Sequence, residues 1–334
     1  MTAATPGPSS AGRAAPGAPP MREGPSRADA AAGRWIARAL LLALAFAAGA
    51  AWTLGGRLSA PAPRRIGPPP EALAGASEVA FESASGSRVR GWLAPGTGRG
   101  SVVLAHPVRA DRRSMLGRAR FLREAGYTVL LYDAQAHGES PGARVTFGHL
   151  EARDAAAAVA FARARDPEAP VAFLGVSLGA ASALLGPSPL PVEALVVEAV
   201  HRTLREAVEN RLAIRLGPPG RLLAPLLLLQ VAPRLGVPVE ALDPVRGIPA
   251  VGAPLLLVAG ERDRHATLAQ AQALFEAAPE PKELWVVAGA AHEDFHRVAR
   301  EAYERTLLAF LARALAPPRS DAVARPARGS GAAG

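Results

Sequence analysis

The stretch VAFLGVSLGAASALLG, residues 171–186, holds a serine between two glycines, Gly175-Val176-Ser177-Leu178-Gly179. A serine hydroxyl becomes a nucleophile when a base takes its proton and an acid orients that base. Candidates for both follow downstream: Asp263 in GERDRHA and His292 in GAAHEDFH. Together these side chains suit acyl transfer, in which Ser177 attacks a carbonyl, His292 relays the proton and Asp263 holds the imidazole's tautomer. The resulting oxyanion needs two backbone donors. Leu178, directly after the serine, is expected to supply one. Val108, in the loop LAHPVRADRRSM, is expected to supply the other, because Pro107 has no N–H.

A bare Gly-x-Ser-x-Gly arises easily by chance in a chain with 33 glycines, so its surroundings decide its meaning. From residue 76 onward, strand-like and helix-like segments alternate. Short apolar runs at 101–106, 127–133, 170–175, 192–197, 253–260 and 283–289 predict buried strands. Helical patterns at about 112–124, 150–165, 178–185, 266–277 and 294–315 fall between or after them, and 78–82 with 88–93 predicts an opening hairpin. The pattern specifies an α/β domain with a mainly parallel sheet flanked by helices. Ligand chemistry in such a sheet gathers at the strands' carboxyl ends. Ser177, Asp263 and His292 each follow a predicted strand, and Ser177 sits where strand turns into helix, the setting that exposes a strained serine.

Rivals exist for each role. Glu261 competes with Asp263 as the acid. His296 competes with His292 as the base, although one turn into the last helix it is expected to point away. His265 reads as a surface or helix-start residue, His106 as a loop-fixing residue, and Asp133 and Glu198 as strand-end residues engaged in packing or loop hydrogen bonds.

Residues 76–316 resemble the α/β-hydrolase superfamily, and most nearly the membrane-anchored or exported serine hydrolases of the Bem46-like, serine aminopeptidase-like group. The resemblance rests on GVSLG, on YDAQAHGESPG at 132–142, on GERD and on GAAH. It implies the chain order Ser, Asp, His for the triad and a structural role for His137 and Gly138. The early loop departs from the family, reading His106-Pro107 where His-Gly is usual.

Composition narrows the rest. The 334 residues contain no cysteine, which excludes thiolate catalysis, disulfides and thiolate-bound metal. No metal or organic cofactor is expected. The net charge of +9 sits in the tails, residues 1–70 carrying +6 and 317–334 carrying +2, so no nucleic-acid footprint is expected on the nearly neutral domain. Residues 1–33 and 317–334 are rich in Pro, Gly, Ala and Arg and are expected to be disordered. Residues 34–57 hold an eighteen-residue uncharged run, ALLLALAFAAGAAWTLGG, near the length that spans a bilayer. It is expected to be an uncleaved signal anchor, making a single-pass membrane protein with an extracytoplasmic catalytic domain. The alternative is a secretory signal cut near Ala48-Gly49-Ala50, giving a secreted protein. Residues 58–75 read as a Pro-rich linker.

An insertion at about 200–250 is expected to be a small helical cap. Within it LLAPLLLLQVAP, 222–233, is too short to span a membrane and is expected either to line the pocket or membrane surface, favouring acyl substrates, or to pack on the core. The function expected is hydrolysis of carboxylic esters, or as the second choice of amides, through an acyl-serine. Acyl transfer to another acceptor and a catalytically silent membrane-tethered interaction protein are the alternatives.

Overall fold

The computed structural model describes residues 1–3 and 27–316, so most of the two predicted disordered tails lies outside the described residues. Within the first of those tails, helix begins already at Arg27. The chain divides into two units, one ending at Ala50 and the other beginning at Ala51, with the division inside the first helix.

That helix, α1 (Arg27–Leu58), runs for 32 residues. From Ala31 to Leu58 it is long and apolar enough to cross a membrane, with a mean hydropathy of 1.8, and a signal sequence passes the same test. Trp35, Leu41, Leu42 and Phe46 are exposed along it.

Among the described residues, eight strands form the main sheet: β1 (Ser77–Glu82), β2 (Arg88–Ala94), β3 (Ser101–Ala105), β4 (Thr128–Asp133), β5 (Val171–Val176), β6 (Ala194–Glu198), β7 (Leu255–Gly260) and β8 (Lys282–Val287). Their order is β8-β7-β6-β5-β3-β4-β2-β1. Neighbours from β8 to β4 are parallel, and the hairpin β1–β2 closes the edge antiparallel. The central runs lack polar alternation because helices cover both faces, and every residue of β3, β6 and β7 is buried.

On one face pack α3 (Glu151–Arg165), α4 (Leu178–Leu184) and a later helix, Leu268–Ala277, whose start is fixed by a capping box of Thr267 and Gln270. The other face is covered by α2 (Leu116–Glu124) and the last helix, Arg300–Ala314. The single terminal helix predicted at 294–315 is broken. One turn, Phe295–Val298, ends at Ala299, whose φ of −131° and ψ of 47° are not helical, before the long helix starts.

The insertion after β6 is helical but fragmented. It contains α5 (Leu204–Leu216), a 3₁₀ stretch Pro218–Leu223, α6 (Ala224–Leu228) and α7 (Val231–Leu235). Prolines at 218, 219 and 225 account for the short pieces, since proline is tolerated only in a helix's first turn. A small core of Leu204, Ala224, Leu228, Val231 and Leu242 holds the cap together.

The Pro-rich segment after α1 is laid along the domain. Ala62–Pro63 pairs in parallel with His137–Gly138, Leu73 is buried, and the backbone N–H groups of Ile66 and Gly67 donate to Glu139.

Candidate active site

The junction of β5 and α4 is a sharp elbow. Ser177 adopts φ 52° and ψ −103°, a left-handed conformation that costs a non-glycine residue about 1–3 kcal/mol. The flanking glycines make this possible. A Cβ on Gly175 would collide with the backbone of Gly179 and Ala180, and one on Gly179 would collide with the carbonyl of Ala105 on β3. The elbow is therefore wedged between β5, α4 and β3, and none of these backbones leaves room for a side chain. Ser177 N–H donates to the carbonyl of Glu198 at 2.8 Å, fixing the turn to β6.

The loops after β7 and β8 bring the acid and the base together. His292 Nδ1 lies 2.7 Å from Oδ2 of Asp263, whose carboxylate is fully buried. The other oxygen, Oδ1, accepts the N–H groups of His265 at 2.7 Å and Ala266 at 2.9 Å. Asp263 is thus fixed by three donors and presents one oxygen to His292. Ser177 and His292 line one cavity without a direct hydrogen bond between them, and catalytic contacts of this kind often tighten only with substrate bound.

The rival residues are engaged elsewhere. Glu261 accepts the N–H of Gly289 at 2.7 Å. His296 lies 2.8 Å from Glu304 and its ring packs between Phe121 and Tyr303. Asp133 pairs with buried Arg112, which also reaches Glu139 at 2.6 Å. Glu198 is fully buried against Arg118 at 2.7 Å and also accepts the Tyr303 hydroxyl. Arg118 reaches Asp294 at 2.8 Å as well, tying α2, the end of β6 and the His292 loop into one network.

The loop after β3 carries the second expected donor. Leu178 is the first residue of α4, so its N–H has no acceptor within the helix. Val108 lines the cavity that Ser177 and Leu178 also line. The turn at Pro107 is held by His106. Its Nε2 accepts the N–H of Ala134 at 3.1 Å, and its Nδ1 therefore donates to the Pro107 carbonyl at 2.8 Å. Burial, aided by the neighbouring His137, pushes the His106 imidazole down to about 3, so it stays neutral and in that tautomer. Proline here supplies a carbonyl that His106 can grip.

Two histidines beside the site were not assigned chemistry from sequence. His201, three residues beyond β6, lines the cavity of Ser177 with Nε2 buried and unpartnered. Burial first, then the charges of Arg211 and His292, pushes it down to about 4. Its position past a strand's carboxyl end was the available signal. His265 packs its ring 4.9 Å from that of His292 and is likewise lowered by burial and by His292. The His265 ring thus lies beside His292 without taking the Asp263 oxygen that faces it. Among the described residues, no group of three or more His, Asp or Glu side chains is placed to hold a metal ion.

Ser177 opens onto two cavities, and it is the one residue common to the linings of both. The first, some 1010 Å³ including space open to solvent, is mostly apolar. Val108, Phe147 and Leu178 line it from the domain, Leu204, Val208, Leu227, Leu228, Val231 and Leu235 from the cap, and Gly55 and Leu58 from the end of α1. The second is lined by Pro107, Ser114, Met115, Arg118, His292, Glu293 and Asp294 among others.

Comparison with known proteins fits this geometry. Residues 96–242 match the family model of the S33 serine aminopeptidases. An uncharacterized protein of Mycobacterium tuberculosis is 32% identical over 236 residues, covering 68% of this chain and 77% of that protein. An uncharacterized protein of Bacillus subtilis is 23% identical over 234 residues, covering 69% and 77% respectively. Among solved structures, an esterase of Pyrococcus furiosus superposes with a TM-score of 0.66 at 24% identity, over 77% of this chain and 99% of that one. An esterase of Exiguobacterium antarcticum does so with a TM-score of 0.52 at 18% identity, over 70% and 98%. These last two likenesses are of fold. The chain belongs to the α/β-hydrolase superfamily.

Proposed function

We propose that the protein is a serine hydrolase that cleaves carboxylic esters through an acyl-Ser177 intermediate. The observation that carries this reading is the strained Ser177 elbow opening onto the cavity that holds His292, itself bound to a buried Asp263. In the first step Ser177 Oγ bonds to the ester carbonyl carbon while His292 Nε2 takes the hydroxyl proton. The oxyanion is received by the N–H groups of Leu178 and Val108, each such donor being worth about 3–4 kcal/mol in the transition state. The carbon–oxygen bond to the alcohol then breaks, and His292 returns the proton to that alcohol. Water repeats the sequence and releases the acid. Asp263 holds Nδ1–H throughout, leaving Nε2 free as the base.

A fluorophosphonate probe tests the assignment. Labelling of wild type and not of Ser177→Ala is expected, and unlabelled, correctly folded wild type would overturn it. We further infer that α1 anchors the chain in a membrane without cleavage. Its length and apolar surface support this, as do the contacts of residues 51–58 with the domain. The full-size chain should stay with membranes through an alkaline carbonate wash. A shortened, released product would refute the anchor.

A further inference from the structure

We propose that the apolar cavity is the acyl-chain site for long-chain esters, and that the last two turns of α1 are its specificity-determining wall. The inference rests on the hydrolase reading above and assigns each cavity a role within it.

Chemistry separates the two cavities. The base that takes the serine proton must return it to the leaving alcohol, so the alcohol has to lie on the side of His292. The acyl group stays bonded to Ser177 Oγ and must extend the other way. His292 lines the second cavity and not the first. Among the described residues no acidic side chain lines the apolar cavity; Arg109, Arg211 and Arg234 reach it, and the leucines and valines of the cap supply the apolar surface that an alkyl chain requires.

The wall from α1 is built in. Gly55, Leu58 and Ser59 line the cavity together with the cap residues Leu227, Gln230 and Arg234. Gln230 bridges the two elements, its Nε2 donating to the carbonyls of Ala51 at 2.9 Å and Leu226 at 2.8 Å. Arg234 donates to the carbonyl of Trp52 and lays its guanidinium 3.9 Å from the centre of the Trp52 ring. Behind the wall, the Ser59 carbonyl accepts the N–H of Val145, and Arg109 donates to the carbonyls of Arg57 and Ala60. Gly55 is the point of closest approach, since a Cβ there would run into the amide of Gln230. The helix that is apolar enough for a membrane therefore ends as one side of the substrate site.

The test uses the full-length chain in detergent micelles and compares kcat/KM for p-nitrophenyl dodecanoate with that for p-nitrophenyl acetate. Leu58→Trp, which projects into the cavity, should lower the dodecanoate-to-acetate ratio at least about tenfold, the scale of discrimination in an apolar pocket. Leu58→Ser, a small replacement at a position 39% exposed, should lower it in the same direction and guards against misfolding of the tryptophan variant. Leu54→Trp, on the same helix but outside the lining, should keep the wild-type ratio. An unchanged ratio in both Leu58 variants, with fluorophosphonate labelling intact, overturns the acyl wall and leaves the hydrolase reading standing. Absence of labelling in wild type overturns both.

Discussion

Replacing Asp263 by asparagine should disable the base without disturbing the fold, and the geometry says how. Oδ1 of Asp263 accepts two backbone N–H groups, from His265 and Ala266, while Oδ2 faces His292 Nδ1. An asparagine in this place must turn its own oxygen toward the two N–H donors. The opposite orientation would set an NH2 group against both and leave them unsatisfied, at about 1–3 kcal/mol each. Its amide nitrogen then faces Nδ1, which has to accept, and the imidazole proton moves to Nε2. That nitrogen can no longer take the Ser177 proton. Where an aspartate–histidine pair of this kind has been broken in the same way, kcat falls about 10⁴-fold, which corresponds to about 5.5 kcal/mol of transition-state stabilisation. We expect a loss of that order in kcat for p-nitrophenyl acetate at neutral pH, with KM and thermal unfolding close to wild type. Asp263→Ala should lose no more than Asp263→Asn, because alanine enforces no tautomer. A folded Asp263→Asn enzyme within about tenfold of wild type would show that Asp263 does not set the state of His292.

Other expectations follow from the same contacts. Gly179→Ala puts a Cβ into the Ala105 carbonyl, so it should lower both the melting temperature and the rate of fluorophosphonate labelling, the first measured by calorimetry. Arg118→Met strands the fully buried Glu198, which should cost about 3–5 kcal/mol, or about 10 °C in melting temperature for a domain of this size; an unchanged melting temperature would refute it. Stability should also fall on acidification below pH 6.5, because the unfolded His106 takes up a proton there while the folded one, pushed down to about 3 by burial, does not. The slope this adds is at most about 1.4 kcal/mol per pH unit. His106→Asn should flatten it in urea titrations between pH 6.5 and 4.5. Asp154, pushed up to about 6 by burial, acts in the opposite sense, so the wild-type-minus-variant difference is the quantity to read.

The parts of this molecule that could be read from sequence are those whose cause is local. Continuous apolar runs such as LLLVAG signal strands covered on both faces, and all of β7 is buried. The spacing of Gly175, Ser177 and Gly179 signals the elbow because each glycine is demanded by a backbone only a few residues or one strand away. Asp263 and His292 were legible as loop residues after β7 and β8, since parallel strands deliver their carboxyl ends to one edge. What escaped depends on partners distant in the chain. Arg112 and Arg118 look like two more solvent-facing arginines in a helix of the early loop region, yet both are buried because Asp133 and Glu198, on other strands, await them. Residues 58–75 read as a linker because proline fixes φ and says nothing of docking; their place is set by Glu139 and by His137–Gly138, some seventy residues away. The end of α1 escaped for the same reason. Its hydropathy is that of a candidate membrane span or signal sequence, so nothing in the run itself distinguishes Gly55 and Leu58 from their neighbours. Gln230 and Arg234, about 180 residues later, meet the end of this helix, where Gly55 and Leu58 line the cavity that Ser177 also lines.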